Sequence, residues 1–136
     1  VKFLIDNNLS PHLARALHEL SKREANPSVE VFALRERFEQ DAKDHDWLGA
    51  LKATGESSSV LSADNFRKSD AERELMRTSG LNVFVLQKSW ASQSYWAQAA
   101  QLVHWWPRII SQAAAVQRSA YRVPWRTSGK FEQIRL

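Results

Sequence analysis

Short apolar runs alternate with stretches in which apolar residues recur every three or four positions, the pattern of strands interleaved with helices. Val1 to Ile5 is a β-branched and aromatic run that stops at Asp6-Asn7-Asn8. Ser10-Pro11 then supplies an N-cap and a first-turn proline, so the spacing predicts strand, polar turn and helix. In that helix Leu13, Leu17 and Leu20 are expected on the buried face, with Lys22-Arg23 near its electronegative end. Val29 to Leu34 reads as a second strand, Arg35 to Lys43 as a loop or polar helical turn, and Asp44 to Thr54 as a helix ending at Gly55. Ser58 to Ala63 gives a third strand, Ser69 opens a helix that Gly80 stops, and Leu81 to Leu86 is the fourth and strongest strand.

Beyond Ser92, Trp96, Ala100 and Val103 mark a long helix, and Pro107 either kinks it or starts another through Ile109, Ile110 and Ala113. Tyr121 to Arg126 and Phe131 to Leu136 predict a terminal hairpin, with Pro124 restricting the first arm to an edge. Apolar strands separated by helices imply parallel pairing, cover on both faces and right-handed crossovers. The expected fold is a three-layer α/β/α domain with a mainly parallel central sheet, and 136 residues suit a single domain over 1–136.

The composition is that of an ordinary globular chain, 43% hydrophobic and 25% charged, which sets aside collagen-like and wholly disordered classes. The absence of cysteine removes disulfide frameworks, zinc-thiolate sites and cysteine nucleophiles, and fits a cytoplasmic setting. No run approaches the length of a membrane span, and no secretory signal opens the sequence, so neither membrane insertion nor export is expected. Charge is unevenly placed. Residues 1–117 hold 14 basic and 14 acidic side chains, whereas 118–136 hold five basic groups and one acid, Glu132. This segment, with Arg122, Arg126 and Lys130, either meets a phosphate backbone or protects a sheet edge from aggregation.

Ligands of parallel α/β sheets bind beyond the carboxyl ends of the strands, which directs attention to Asp6 and Asp64. Asp44, at the start of the second helix, and Glu72, in the first turn after Ser69, can reach the same rim. Clustered carboxylates repel one another and call for a cation, and Mg²⁺ or Mn²⁺ suits oxygen donors. Such an ion activates water and stabilises phosphoryl charge, which points to phosphodiester hydrolysis. Each acid also has a structural role open to it. Asp6 and Asp64 can organise Asx turns, and Asp44 can cap its helix, with Asp46 an alternative acid. Glu72 fits the capping box Ser69-Asp70-Ala71-Glu72.

The segments Phe3 to Pro11, Asp44-His45-Asp46-Trp47-Leu48 and Val60 to Phe66 resemble the motifs of the PIN-like nucleases. The branch they are most similar to is the small one related to VapC toxins of toxin–antitoxin modules, and Glu72 through Leu86 resembles its acidic helix and following strand. The resemblance implies a metal-dependent endoribonuclease held in check by a cognate antitoxin protein. On it, Asp6, Asp44 and Asp64 take the metal positions and Glu72 a further acidic position. Asn65 stands where that branch commonly has Arg or Lys. Asn7, Asn8, Ser62 and Asn65 are then candidates to hold water or phosphate oxygens, and Arg67, Lys68 and the basic C-terminal residues candidates to position RNA.

Other chemistries find little material. The four histidines form no i, i+4 pair, and neither a P-loop nor a dinucleotide-binding glycine motif is present. The rival functions are a non-catalytic PIN-like adaptor for nucleic acid or protein, and a phosphoryl-accepting receiver, for which Lys88 is the one candidate lysine. Six tryptophans are many for this length. Because Trp105 and Trp106 point about 100° apart on a helix, they are not both expected to be buried in one monomer. The large aromatics are expected to serve core and sheet-edge packing, or else the 90–110 region helps form a homodimer or antitoxin interface.

Overall fold

The computed structural model describes residues 1–6, 8–37, 58–63, 74 and 77–135. Their elements are β1 (Lys2–Ile5), α1 (Pro11–Ser21), β2 (Glu30–Ala33), a one-turn α2 (Leu34–Arg37), β3 (Ser58–Ser62), β4 (Asn82–Leu86), a 3₁₀ turn (Lys88–Ser92), α3 (Tyr95–Ala115), β5 (Ala120–Val123) and β6 (Glu132–Ile134). Glu74, Arg77 and Thr78 are helical, and Gly80 follows with φ +80°, the left-handed backbone that ends a helix at little cost to glycine. The helix expected over 44–54 lies outside the described residues.

The six strands form one sheet in the order β2-β1-β3-β4-β5-β6, parallel except for the antiparallel β5–β6 hairpin. The fold is thus mixed α/β, as the strand spacing predicts. Both faces of the sheet are buried. Phe3, Ile5, Leu61, Phe84, Leu86 and Val123 line one face beneath α1 and α3. Leu4, Val60, Val83 and Val85 line the other, with Leu34 of α2 among them. Asp6 belongs to this second face, being two residues beyond Leu4 on a pleated strand.

Helix α1 starts as its sequence dictates. The Ser10 side chain accepts from the His12 amide, and Pro11 occupies the first turn. Leu13 and Leu17 are buried, but Leu20 is 53% exposed and Ser21 is buried in its stead. At about 100° per residue the buried arc centres between Ala14 and Leu17, which leaves Leu20 on its border. The Ser21 hydroxyl also has a buried task, accepting from the Trp106 indole at 2.8 Å.

Helix α3 corrects two expectations. It runs without interruption through Pro107, so no second helix begins there. Its buried residues are Leu102, Trp105, Trp106, Ile109, Ile110 and Ala113, while Trp96, Ala100 and Val103, whose spacing marks the helix, lie on its exposed side. Trp105 and Trp106 are both enclosed, at 0% and 4% exposure, because α3 is covered on two flanks as well as from below. Trp106 packs on Phe3, with ring centroids 4.7 Å apart, and bonds to α1, while Trp105 packs on Phe131 of the hairpin at 5.2 Å. Both indoles of this pair thus serve core packing, as the large aromatics are expected to, and the pair does not point to an intermolecular interface.

The connections depart from expectation as well. The steps β1→β2 and β4→β5 run in opposite directions along the sheet, yet α1 and α3 lie on the same face, so the two crossovers have opposite hand. One of them breaks the right-handed rule. The physical pressure is cover: α1 sits over β1 and β2, which leaves the apolar face of β3, β4 and β5 for α3. Trp90 anchors the route, its indole nitrogen donating to the Val123 carbonyl at 3.1 Å. The first arm of the hairpin is not an edge, since β5 lies between β4 and β6, and Pro124 stands just past its end, where no ladder amide is lost.

Two buried polar residues on the face covered by α3 make opposite predictions. Asn82 donates to the carbonyls of Ala113 and Val116 and accepts from the Ser119 amide, closing the end of α3 onto β4. The hydroxyl of Ser59, fully buried in β3, has no hydrogen-bond partner among the described residues. Asn82→Ala is expected to cost about 2–4 kcal/mol, whereas Ser59→Ala leaves stability unchanged or raises it by up to about 1 kcal/mol. Urea unfolding midpoints at equal slope would show the contrast.

Candidate active site

The order β2-β1-β3 makes the carboxyl end of β1 the switch point of the sheet, since the chain leaves it towards β2 and re-enters on its other side at β3. Asp6 sits there. Its amide donates to the Leu61 carbonyl at 2.9 Å, extending the parallel ladder by one residue, and its carbonyl accepts from the Leu9 amide at 3.0 Å as the chain turns towards α1.

The side chains are tied across the same junction. Ser62 Oγ donates to Asp6 Oδ2 at 2.9 Å and accepts from Asn8 Nδ2 at 3.1 Å, and Asn8 Oδ1 accepts from the Ala63 amide at 3.2 Å. The result is a chain of three hydrogen bonds stitching the turn after β1 to the end of β3. A hydroxyl whose lone pair is engaged by Asn8 must turn its proton elsewhere, and here the proton goes to the carboxylate, a charge-assisted bond. Asp6 is thereby fixed relative to Ser62, two residues ahead of Asp64 in the chain.

Of the residues singled out in the sequence, the structure brings Asp6, Asn8 and Ser62 together. Asn7, Asp44, its alternative Asp46, Asp64, Asn65, Arg67, Lys68 and Glu72 lie outside the described residues. Among the described residues no group of three His, Cys, Asp or Glu side chains could hold a metal. The donors gathered at the junction are carboxylate, hydroxyl and amide oxygens, the hard set that Mg²⁺ and Mn²⁺ favour.

The C-terminal cations stand apart from this junction. β5 is three strands from β1, about 14 Å at the usual strand spacing. Arg122, half-buried on β5, is paired with Glu132 at 3.3 Å. Arg126 and Lys130 are exposed in the loop between β5 and β6, which begins at the same rim as Asp6.

Arg108 places that loop, a role the sequence reading missed. Its guanidinium donates to the carbonyls of Thr127 and Gly129 at 2.7 and 2.8 Å and lies 3.9 Å from the centroid of the Trp105 ring. One signal was there to read: Arg108 is the sole Lys or Arg in the 21 residues of α3, which contain no acid. Beside it, a groove of about 660 Å³ runs between α3 and the hairpin, bounded by Ser111, Gln112, Tyr121, Lys130 and Phe131. It opens on the face of the sheet opposite to Asp6.

Compared with known proteins, the chain is matched over residues 1–88 by the profile of one family, described as a PIN-like domain. No characterised protein and no solved structure matches it. The matched span runs from β1 through β4 and contains Asp6, Asp44, Ser62, Asp64 and Glu72.

Arg108→Lys keeps the charge but cannot fork to two carbonyls while stacking on an indole. The substitution is expected to cost about 1–2 kcal/mol and to speed amide hydrogen exchange in 125–131 while leaving β1 and β3 protected. Exchange measured by mass spectrometry on both variants checks this.

Proposed function

The chain belongs to the PIN-like domain family, and from this premise we propose that it is a divalent-metal-dependent ribonuclease hydrolysing RNA phosphodiester bonds at the carboxyl rim of β1 and β3. The observation that carries the reading is the Asp6 carboxylate held by Ser62 at the switch point of a parallel sheet. A turn-forming aspartate needs no such strut from a neighbouring strand. A carboxylate that must keep its oxygens aimed at an ion does.

In this reading Asp6, Asp64 and Asp44 hold Mg²⁺ or Mn²⁺. The bound ion supplies an activated water and charge stabilisation at a phosphoryl oxygen. The work of the chain itself is orientation. Ser62 keeps Asp6 in one rotamer, and Asn8 keeps the Ser62 proton directed at Asp6. Glu72 serves either as a further acid or as the cap of its helix. Asn7, Asn65, Arg67 and Lys68 are the groups nearest in sequence to these acids for contact with phosphate, and Arg126 and Lys130 extend the positive surface along the rim. The finer assignment is to the toxin of a type II toxin–antitoxin pair, related to the VapC branch, acting on cytoplasmic RNA and neutralised by its antitoxin.

With Mg²⁺ or Mn²⁺ and mixed RNA substrates, folded Asp6→Asn and Asp64→Asn variants are expected to lose about a thousandfold in cleavage rate. Ser62→Ala is expected to lose about ten- to a hundredfold, recovered in part by raising the metal concentration. A chelator should silence the parent. If folded Asp6→Asn cleaves as fast as the parent, the nuclease reading is wrong, and metal binding without turnover would favour the adaptor. Growth arrest on expression that Asp6→Asn abolishes would bear on the toxin assignment.

A further inference from the structure

Tyr95 and Trp96 open α3, and both lie beyond the span matched to the family. Helix α3 runs back along β4. It starts after the 3₁₀ turn that follows the carboxyl end of that strand and closes on Asn82 at the strand's beginning. Its first turn therefore stands at the rim that carries Asp6. Tyr95 lies seven residues before Leu102 and points within about 20° of the same direction, yet Leu102 is 1% and Tyr95 44% exposed. The sheet reaches beneath Leu102 and has ended beneath Tyr95, about 10 Å further along the axis. One residue on, Trp96 steps round as Trp106 does from Trp105, away from the hairpin and towards α1, the side of β1.

Trp96 is 79% exposed, more than any other large apolar side chain among the described residues, and its ring meets Tyr95 edge-on with centroids 5.5 Å apart. A single exposed apolar residue needs no explanation. Two adjacent aromatics overhanging the ligand-binding end of a parallel sheet make a flat apolar platform.

Charge decides what lies on it. Residues 75–131 contain seven Lys or Arg and no Asp or Glu. Lys88 and Arg126 are exposed at this same rim, on segments joined by Gln87, whose amide donates to the Val123 carbonyl and whose side chain accepts from the Trp125 amide. Ser92 and Ser94, both exposed, add hydroxyls beside the aromatic pair. Aromatic rings set among cations and hydroxyls match a polyanion that carries planar rings, a nucleic-acid strand with unpaired bases.

We propose that Tyr95 and Trp96 form a stacking platform for an unpaired base of the RNA, with Lys88 and Arg126 receiving the phosphates beside it. The proposal rests on the nuclease reading and deepens it. Two strand spacings and the height of a helix above a sheet put the platform on the order of 15 Å from Asp6, so the stacked base belongs to a nucleotide a few positions from the bond that is cut. The platform selects single strands, since a base inside a duplex has no face to offer.

Binding and cleavage are measured apart. With a chelator present, so that nothing is cut, the full chain is titrated with oligoadenylate and oligouridylate of about twelve nucleotides and with a G·C-rich RNA duplex of that length. The parent should prefer single strands, and adenine to uracil because the larger ring stacks better. Trp96→Ala is expected to weaken oligoadenylate binding roughly five- to a hundredfold, with its salt dependence unchanged. Trp96→Phe should keep most of the affinity, and Trp96→Leu, apolar but not flat, should lose it. Arg126→Ala should instead weaken all strands alike and lower the salt slope by about one. With Mg²⁺, Trp96→Ala should raise KM and leave kcat unchanged on a substrate long enough to reach the platform. A Trp96→Ala or Trp96→Leu chain that binds oligoadenylate like the parent overturns the proposal, as does a parent that favours the duplex. A parent that binds through Trp96 yet cuts nothing upholds the platform and overturns the nuclease reading.

Discussion

The parallel register between β1 and β3 is the constraint on which the rest of the molecule depends. Ile5 pairs with Leu61, and the Asp6 amide continues the ladder onto the Leu61 carbonyl. Side chains alternate across a strand, so a slip of one residue would turn Asp6 from the side of Leu4 and Val60 to the side of Phe3 and Ile5. The carboxylate would then lose Ser62 and enter the larger apolar core, where an unpaired charge is costly. The same pairing makes β1 a strand with neighbours on both sides and connections departing in opposite directions, the condition for an open crevice at its end. Placement of the acid and identity of the fold are thus one fact.

The larger core explains why the second half of the chain takes an uncommon route. Residues beyond 88 supply Trp90, Trp105, Trp106 and Ile109 to the cluster that contains Phe3, Ile5 and Leu17. The segment matched to the family and the segment after it therefore share one interior. A helix on the other face would leave Phe84, Leu86 and Val123 without cover. Burial of these residues and of two indoles outweighs the preference for a right-handed crossover, which reflects strand twist acting on tight connections and weakens over a connection as long as 87–119.

The strands were legible because each is a short apolar run bounded by polar turns, and the start of α1 because Ser10-Pro11 is a chemical signal with one local meaning. Packing was less so. Periodicity shows that α3 is a helix, but α3 carries two apolar stripes, one through Leu102, Trp105 and Ile109 and one through Trp96, Ala100 and Val103, and nothing local says which faces inward. The heavier aromatic stripe went inside, and the hairpin and α1 closed over its flanks. Leu20 misled for a related reason, since its angle lies at the margin of the buried arc. The hand of a crossover is a property of three elements at once, and no window of sequence contains it. At the site, the strand-end position of Asp6 and the candidacy of Asn8 and Ser62 were readable, but their hydrogen-bond order needed the register. Asp44, Asp64 and Glu72 belong to segments outside the described residues, and their roles rest on the family resemblance.

The uneven charge acquires a physical meaning once the rim is drawn. Carboxylates that hold a metal repel the polyanion on which that metal acts, and cations that stand away from the acids attract RNA without neutralising them or competing for the ion. Residues 1–117 are balanced, and the excess lies in 118–136. Within that segment Arg122 is paired with Glu132, whereas Arg126 and Lys130 sit exposed on a loop held by Arg108. In the proposed nuclease the hairpin thus contributes to substrate affinity and the β1–β3 junction to turnover. The two are joined through one sheet and separated by the width of two intervening strands.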